Sequence, residues 1–105
     1  MNIVGVAACT AGVAHTYLAK EKLVNAAQES GHTVKIETQG TIGTEDGLSA
    51  QEIDEADVVI IAADIGITGR DRFKEKKVLQ IPTHIAMKSS KAIIKKSEDE
   101  INTTT

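Results

Sequence analysis

The sequence predicts an α/β fold: an open three-layer sandwich whose four-stranded parallel sheet carries helices on both faces. Three observations lead there. Residues 3–8 and 58–63 are apolar without alternation, as strands buried on both faces of a parallel sheet are. Segments with helical spacing separate the strand-like runs, and such alternation builds a parallel sheet through right-handed crossovers. Glycines and a capping motif punctuate the chain where those elements should stop and start.

In order, the first strand covers residues 3–8 and runs into a loop of small residues. A helix follows from about residue 13 to 30, stopped by Gly31. Its helical spacing places Val13, Tyr17, Ala19, Leu23, Val24, Ala26 and Ala27 on one broad apolar face, with Lys20 snorkelling from it. Ala14 and Leu18 fall on the polar side. Residues 32–37 alternate as a second strand ending at Glu37-Thr38-Gln39-Gly40, and Gly40, Gly43 and Gly47 mark a loop after it. Ser49 and Glu52 have the spacing of a capping box for a short helix to about Glu55. Residues 57–63 form the central strand, closed by Asp64. A short polar helix is expected from Arg70 to about Glu75, a fourth strand over 77–81 stopped by Pro82, and a last helix over 84–101 with Ala86, Ser90, Ile93, Ile94, Ser97 and Ile101 on one face. One domain of residues 1–101 is expected, with 102–105 as a disordered tail.

Composition narrows the function. The 105 residues carry a formal net charge of −3, and Tyr17 and Phe73 are the only aromatics, which argues against nucleic acid as a partner and against a stacked flavin. No apolar run approaches the ~20 residues of a membrane helix, so a cytoplasmic domain without direct membrane insertion is expected. One cysteine, Cys9, cannot close an internal disulfide and fits a reducing compartment. His32 and His84 lack metal-ligand spacing with each other or with Cys9, and neither a metal nor a cofactor is implied.

Cys9 follows the first strand at the point where open α/β sheets place their sites. Loop N–H groups and the N-terminus of the next helix favour an anion there, whether a thiolate or a phosphate. The phosphate loop is expected to comprise Thr10, Ala11, Gly12, Val13, Ala14, His15 and Thr16: Gly12 allows a tight turn, and the hydroxyls of Thr10 and Thr16 are further donors. His15 can donate to the anion or cap loop carbonyls. A buried, inert cysteine is the plainer alternative. Three functions compete: a nucleophile that accepts and passes on a phosphoryl group, a low-molecular-weight cysteine phosphatase, and a flavodoxin-like phosphate-binding module. Cys9 and His15 have the C-x5-R spacing of the phosphatases, but histidine replaces the bidentate guanidinium. No aspartate stands in the segment from Ile81 to His84, where their general acid would be. Glu37 and Gln39 end the second strand next to the loop, where Gln39 could bond it, though a surface strand end is the simpler reading; Asp64 and Asp71 could order the nearby loops, with plain solvated carboxylates the simpler reading.

Ala8-Cys9 followed by Gly12-Val13-Ala14-His15-Thr16-Tyr17, then Glu37-Thr38-Gln39-Gly40, Ala56-Asp57 and Arg72-Phe73, resembles the IIB domains of fructose- and mannose-type sugar phosphotransferase systems from Ile3 to about Leu79. Family loops read Cys-Pro-Thr-Gly where this one reads Cys9-Thr10-Ala11-Gly12, which removes a fixed φ. The resemblance implies that Cys9 is the phosphorylated nucleophile. It would receive the group from a phosphohistidine on a IIA partner and pass it to a sugar of the fructose or mannose class on the membrane component IIC, which recruits the domain to the inner face of the membrane. Loose, in-line transfer needs positioning and charge stabilisation, which backbone N–H groups supply. Ala14 and Leu18 form an apolar pair beside Cys9 where both partners would dock in turn.

Overall fold

The computed structural model describes residues 1–8, 13–40, 43–45 and 47–102. Strands β1 (Asn2–Ala8), β2 (Thr33–Gly40), β3 (Gly43–Glu45), β4 (Val58–Ala63) and β5 (Val78–Ile81) form one sheet in the order β3-β2-β1-β4-β5. The four strands β2, β1, β4 and β5 are mutually parallel, as expected. β3 is an addition: the glycine-rich segment read as loop folds back antiparallel on β2, pairing Thr38 with Glu45 and Gly40 with Gly43. Three residues are too few for an alternation to be visible in sequence.

β1 and β4 owe their central places to composition. Ile3, Val4, Val6, Ala7 and Ala8 are buried, and so is every residue of β4. Along β4, Val58, Ile60 and Ala62 face one layer while Val59, Ile61 and Ala63 face the other. Gly5 is required between them, since a Cβ there would lie 2.4 Å from the carbonyl oxygen of Ile60 and 2.9 Å from Cδ1 of Ile36.

Helix α1 (Val13–Glu29) covers one face with α3 (Thr83–Lys88) and α4 (Ser90–Asn102). It ends as predicted at Gly31, whose φ of 80° only glycine adopts without strain, and Gly31 and His32 N–H donate back to the carbonyls of Gln28 and Ala27. The buried stripe is Thr16, Ala19, Leu23, Ala26 and Ala27. Tyr17, assigned to that stripe from spacing, is exposed instead: the buried stripe runs one step round, through Thr16 and the small Ala19, Ala26 and Ala27. On the opposite face lie α2 (Ala50–Glu55) and a 3₁₀ turn (Arg70–Phe73) that inserts Phe73 into the core. The predicted capping box of α2 is present in full: Ser49 Oγ accepts from Glu52 N–H, and the Glu52 carboxylate accepts from Ser49 N–H.

The single C-terminal helix expected over 84–101 is two. Ser89 leaves helical geometry at φ −129°, ψ 38° and separates α3 from α4, serine being a residue that competes poorly for the helix interior. Ala86, Ile93, Ile94 and Ser97 are buried as their spacing predicts. Among the described residues no helix is long and apolar enough to cross a membrane.

Candidate functional site

From β1 the chain crosses to β2 on one side and later to β4 on the other, so the carboxyl end of β1 is the topological switch point of the sheet. Ala8 ends that strand, fully buried, in register with Gln39 of β2 and Ala63 of β4. Its carbonyl accepts from Asp64 N–H at 3.1 Å. The next residue is Cys9, and α1 begins four residues later at Val13. Cys9, Thr10, Ala11 and Gly12 lie outside the described residues, as do the side chains of Val13, Ala14 and His15. Thr16 is buried in the first turn and a half of α1, while Leu18 is exposed, as expected of a residue on the polar side.

The polar groups around this end of the sheet are organised more tightly than the sequence suggests. Glu37 is 2% exposed, so the surface reading of the strand end is overturned. One carboxylate oxygen accepts from Leu48 N–H and from Nη1 of Arg72, each at 3.0 Å. The other accepts from Nη2 of Arg72 at 3.0 Å and from Nε2 of Gln39 at 2.7 Å. Burial pushes the Glu37 pKa up, but the Arg72 guanidinium, the Leu48 N–H and the Gln39 amide more than offset it and hold the acid below its ordinary value. Arg72 also donates from Nε to the Gly69 carbonyl at 2.8 Å, and its guanidinium carbon sits 4.9 Å from the centre of the Phe73 ring.

Gln39 completes the group. Its Nε2 donates to the Thr68 carbonyl at 2.9 Å and its Oε1 accepts from Thr68 N–H at 2.8 Å. The signal for this was present: Glu37 and Gln39 are two apart on a strand, so they share a face and can reach the same partner. Asp64 is likewise engaged rather than simply solvated, accepting from Thr83 N–H at 3.0 Å and from the Thr83 hydroxyl at 2.6 Å, which ties the end of β4 to the start of α3. The structure thus gathers Ala8, Glu37, Gln39, Asp64, Thr68 and Arg72 at the switch point. His32, by contrast, lies at the opposite end of α1, where Glu98 and the N-terminal amine contact its two ring nitrogens at 2.6 and 3.1 Å.

A family model described as "PTS system, Lactose/Cellobiose specific IIB subunit" matches residues 4–96. The chain is 45% identical over 97 residues to the PTS system fructose-like EIIB component 2 of Escherichia coli strain K12, covering 92% of each chain. It is 39% identical over 99 residues to the fructose-specific EIIABC component of Bacillus subtilis strain 168, of which it spans 15%. Among solved structures, the enzyme IIB subunit of the PTS system from Escherichia coli K12 superposes with a TM-score of 0.92 at 37% identity, covering 98% of this chain and 95% of that one. A Corynebacterium glutamicum arsenate reductase, at 14% identity and a TM-score of 0.51, shares the fold alone. With its parallel sheet and its match over nearly the whole length, the chain belongs to the IIB family of the sugar phosphotransferase systems, whose members are phosphotransferases that carry a phosphoryl group toward a sugar.

Proposed function

We propose that Cys9 is the phosphoryl carrier of a fructose-type system, and that Thr10 to Thr16 form its phosphate loop. The observation that carries this reading is the place of Cys9: the only cysteine of the chain directly follows the buried end of β1 at the switch point, with α1 opening just beyond. The Cys9 thiolate attacks the phosphorus of a phosphohistidine on IIA. The S–P bond forms as the P–N bond breaks, and the leaving imidazole keeps the electron pair and takes up a proton. In the second transfer a sugar hydroxyl attacks the same phosphorus, the O–P bond forms, the S–P bond breaks, the thiolate returns and the hydroxyl proton passes to a base. Both steps are in-line displacements governed by positioning and charge.

The sugar class is supported by the fructose-like and fructose-specific names of the relatives, and the partners by relatives in which the matching segment is part of EIIBC or EIIABC chains. On this reading the domain works in the cytoplasm and meets the membrane through IIC. Histidine at position 15 in place of the arginine of a phosphatase loop spares the phosphocysteine from hydrolysis. The test is incubation with phosphorylated IIA. One phosphate per chain, held for minutes and lost in Cys9→Ser, is expected; rapid turnover of an aryl phosphate by the wild-type protein would instead establish the phosphatase.

A further inference from the structure

β2 and β4 lie on opposite sides of β1, so a bond from β2 to the segment after β4 has to cross the end of β1. The Gln39 amide makes that crossing. It holds both main-chain polar groups of Thr68, at 2.9 and 2.8 Å, from the position in register with Ala8. Its face of the sheet is the one on which Ala8 is packed with Ala63 and Phe73. The third bond of the amide, to Glu37 at 2.7 Å, fixes its rotamer, and Arg72 clamps Glu37 in turn while reaching the Thr68 carbonyl from Nη2 at 3.3 Å. The carbonyl of Ala8 is tied separately to Asp64 N–H. The residue before Cys9 is therefore held in its strand and bonded to the same loop that Gln39 grips at Thr68.

We propose that Gln39 is a positioning residue for phosphoryl transfer: by strapping residues 64–69 across the end of β1 it fixes the peptide that leads into Cys9. This rests on the reading of Cys9 as the phosphorylated residue. In-line transfer loses rate steeply when the nucleophile wanders by a fraction of a bond length, and the donor must find the sulfur where the strand end presents it. Gln39 would act on the rate of transfer and not on the affinity for the donor, because its amide is spent on the Thr68 main chain and the Glu37 carboxylate of its own chain.

The experiment is steady-state transfer from phosphorylated IIA to fructose, with membranes containing IIC and the sugar in excess so that the domain turns over, below the melting temperature of every variant, with kcat and KM for the IIA donor separated. Gln39→Met keeps the length of the side chain and removes all its bonds to Thr68. We expect kcat to fall about tenfold or more with KM for the donor unchanged within about twofold. Should Gln39→Met fail to fold, Gln39→Asn retains the amide, withdraws it from Thr68 by one methylene, and is expected to show the same split. A wild-type kcat in a folded variant, as a purely structural role gives, or a rise in KM alone, as a docking role gives, overturns the proposal. Cys9→Ser, run alongside, separates the two readings: uptake lost there with a wild-type rate in Gln39→Met sinks the strap alone, whereas uptake that survives Cys9→Ser sinks the carrier and the strap with it.

Discussion

Glu37 and Arg72, 35 residues apart in the chain, meet side by side, each guanidinium Nη atom 3.0 Å from a different carboxylate oxygen. The carboxylate is almost wholly buried and the guanidinium side chain is 30% exposed. Removing the arginine leaves a buried charge with only the Leu48 N–H and the Gln39 amide, and breaking a buried pair in this way costs more than the pair itself stabilises. Arg72→Ala is expected to lower stability by about 2–4 kcal/mol, read from urea denaturation. A loss under about 1 kcal/mol would show that water replaces the guanidinium freely.

The same pair makes stability depend on acid. The pKa of Glu37 is lower in the folded chain than its ordinary value of 4.5. A depressed carboxylate contributes stability that is fully present above the unfolded value and is lost as pH falls through the folded one. Stability of the wild-type protein should therefore decline below about pH 4.5, and Glu37→Gln, less stable at neutral pH, should show a shallower decline. Parallel curves for the two proteins between pH 5 and pH 3, values chosen to bracket the ordinary carboxylate range, would assign the acid sensitivity to other groups.

Cys9 should behave as an accessible thiolate, since the N-terminus of α1, which opens four residues after it, favours the charged form. The rate of alkylation against pH is expected to have its midpoint below the free-cysteine value of ~8.5. A midpoint at or above it would mark a buried thiol.

Leu18 is 43% exposed on α1, and Ile65, in the loop after β4, is 41% exposed. A brief encounter with a phosphoryl donor uses a few apolar anchors with a polar rim, and Leu18, early in the helix that follows Cys9, is proposed as one such anchor. Leu18→Asp is expected to slow transfer from IIA about tenfold, or about 1.4 kcal/mol, with the thermal midpoint and the alkylation rate of Cys9 nearly unchanged. An unaltered rate of transfer would remove Leu18 from the docking surface.

What the sequence disclosed was local. Gly31, the Ser49 and Glu52 pair and the apolar runs of β1 and β4 each announce their structure within a few residues, because a cap, a stop or a doubly buried strand is decided by its immediate neighbours. The exposure of Tyr17, one step round from buried Thr16, and the break at Ser89 inside a periodic segment are not encoded by helical spacing alone. At the site, the switch-point end of β1, with Cys9 next in the chain, followed from strand, loop and helix order. The burial of Glu37 did not, because its arginine comes from beyond β4 and its third donor, the N–H of Leu48, carries no side-chain signature at all.

The four bonds on the Glu37 carboxylate also decide how this end of the protein breathes. One bond reaches forward to Leu48, just before α2, and two reach Arg72, which grips Gly69. Two segments that follow different strands are thus moored to a single side chain, and lifting either leaves a buried carboxylate that the other segment must satisfy with fewer donors. Their excursions form one cooperative opening, so the amides of Leu48 and Thr68 would exchange with solvent at a common opening free energy. A partner that stills one segment stills the other, and the reach of any protein docking at the switch point extends to the start of α2 without contact there.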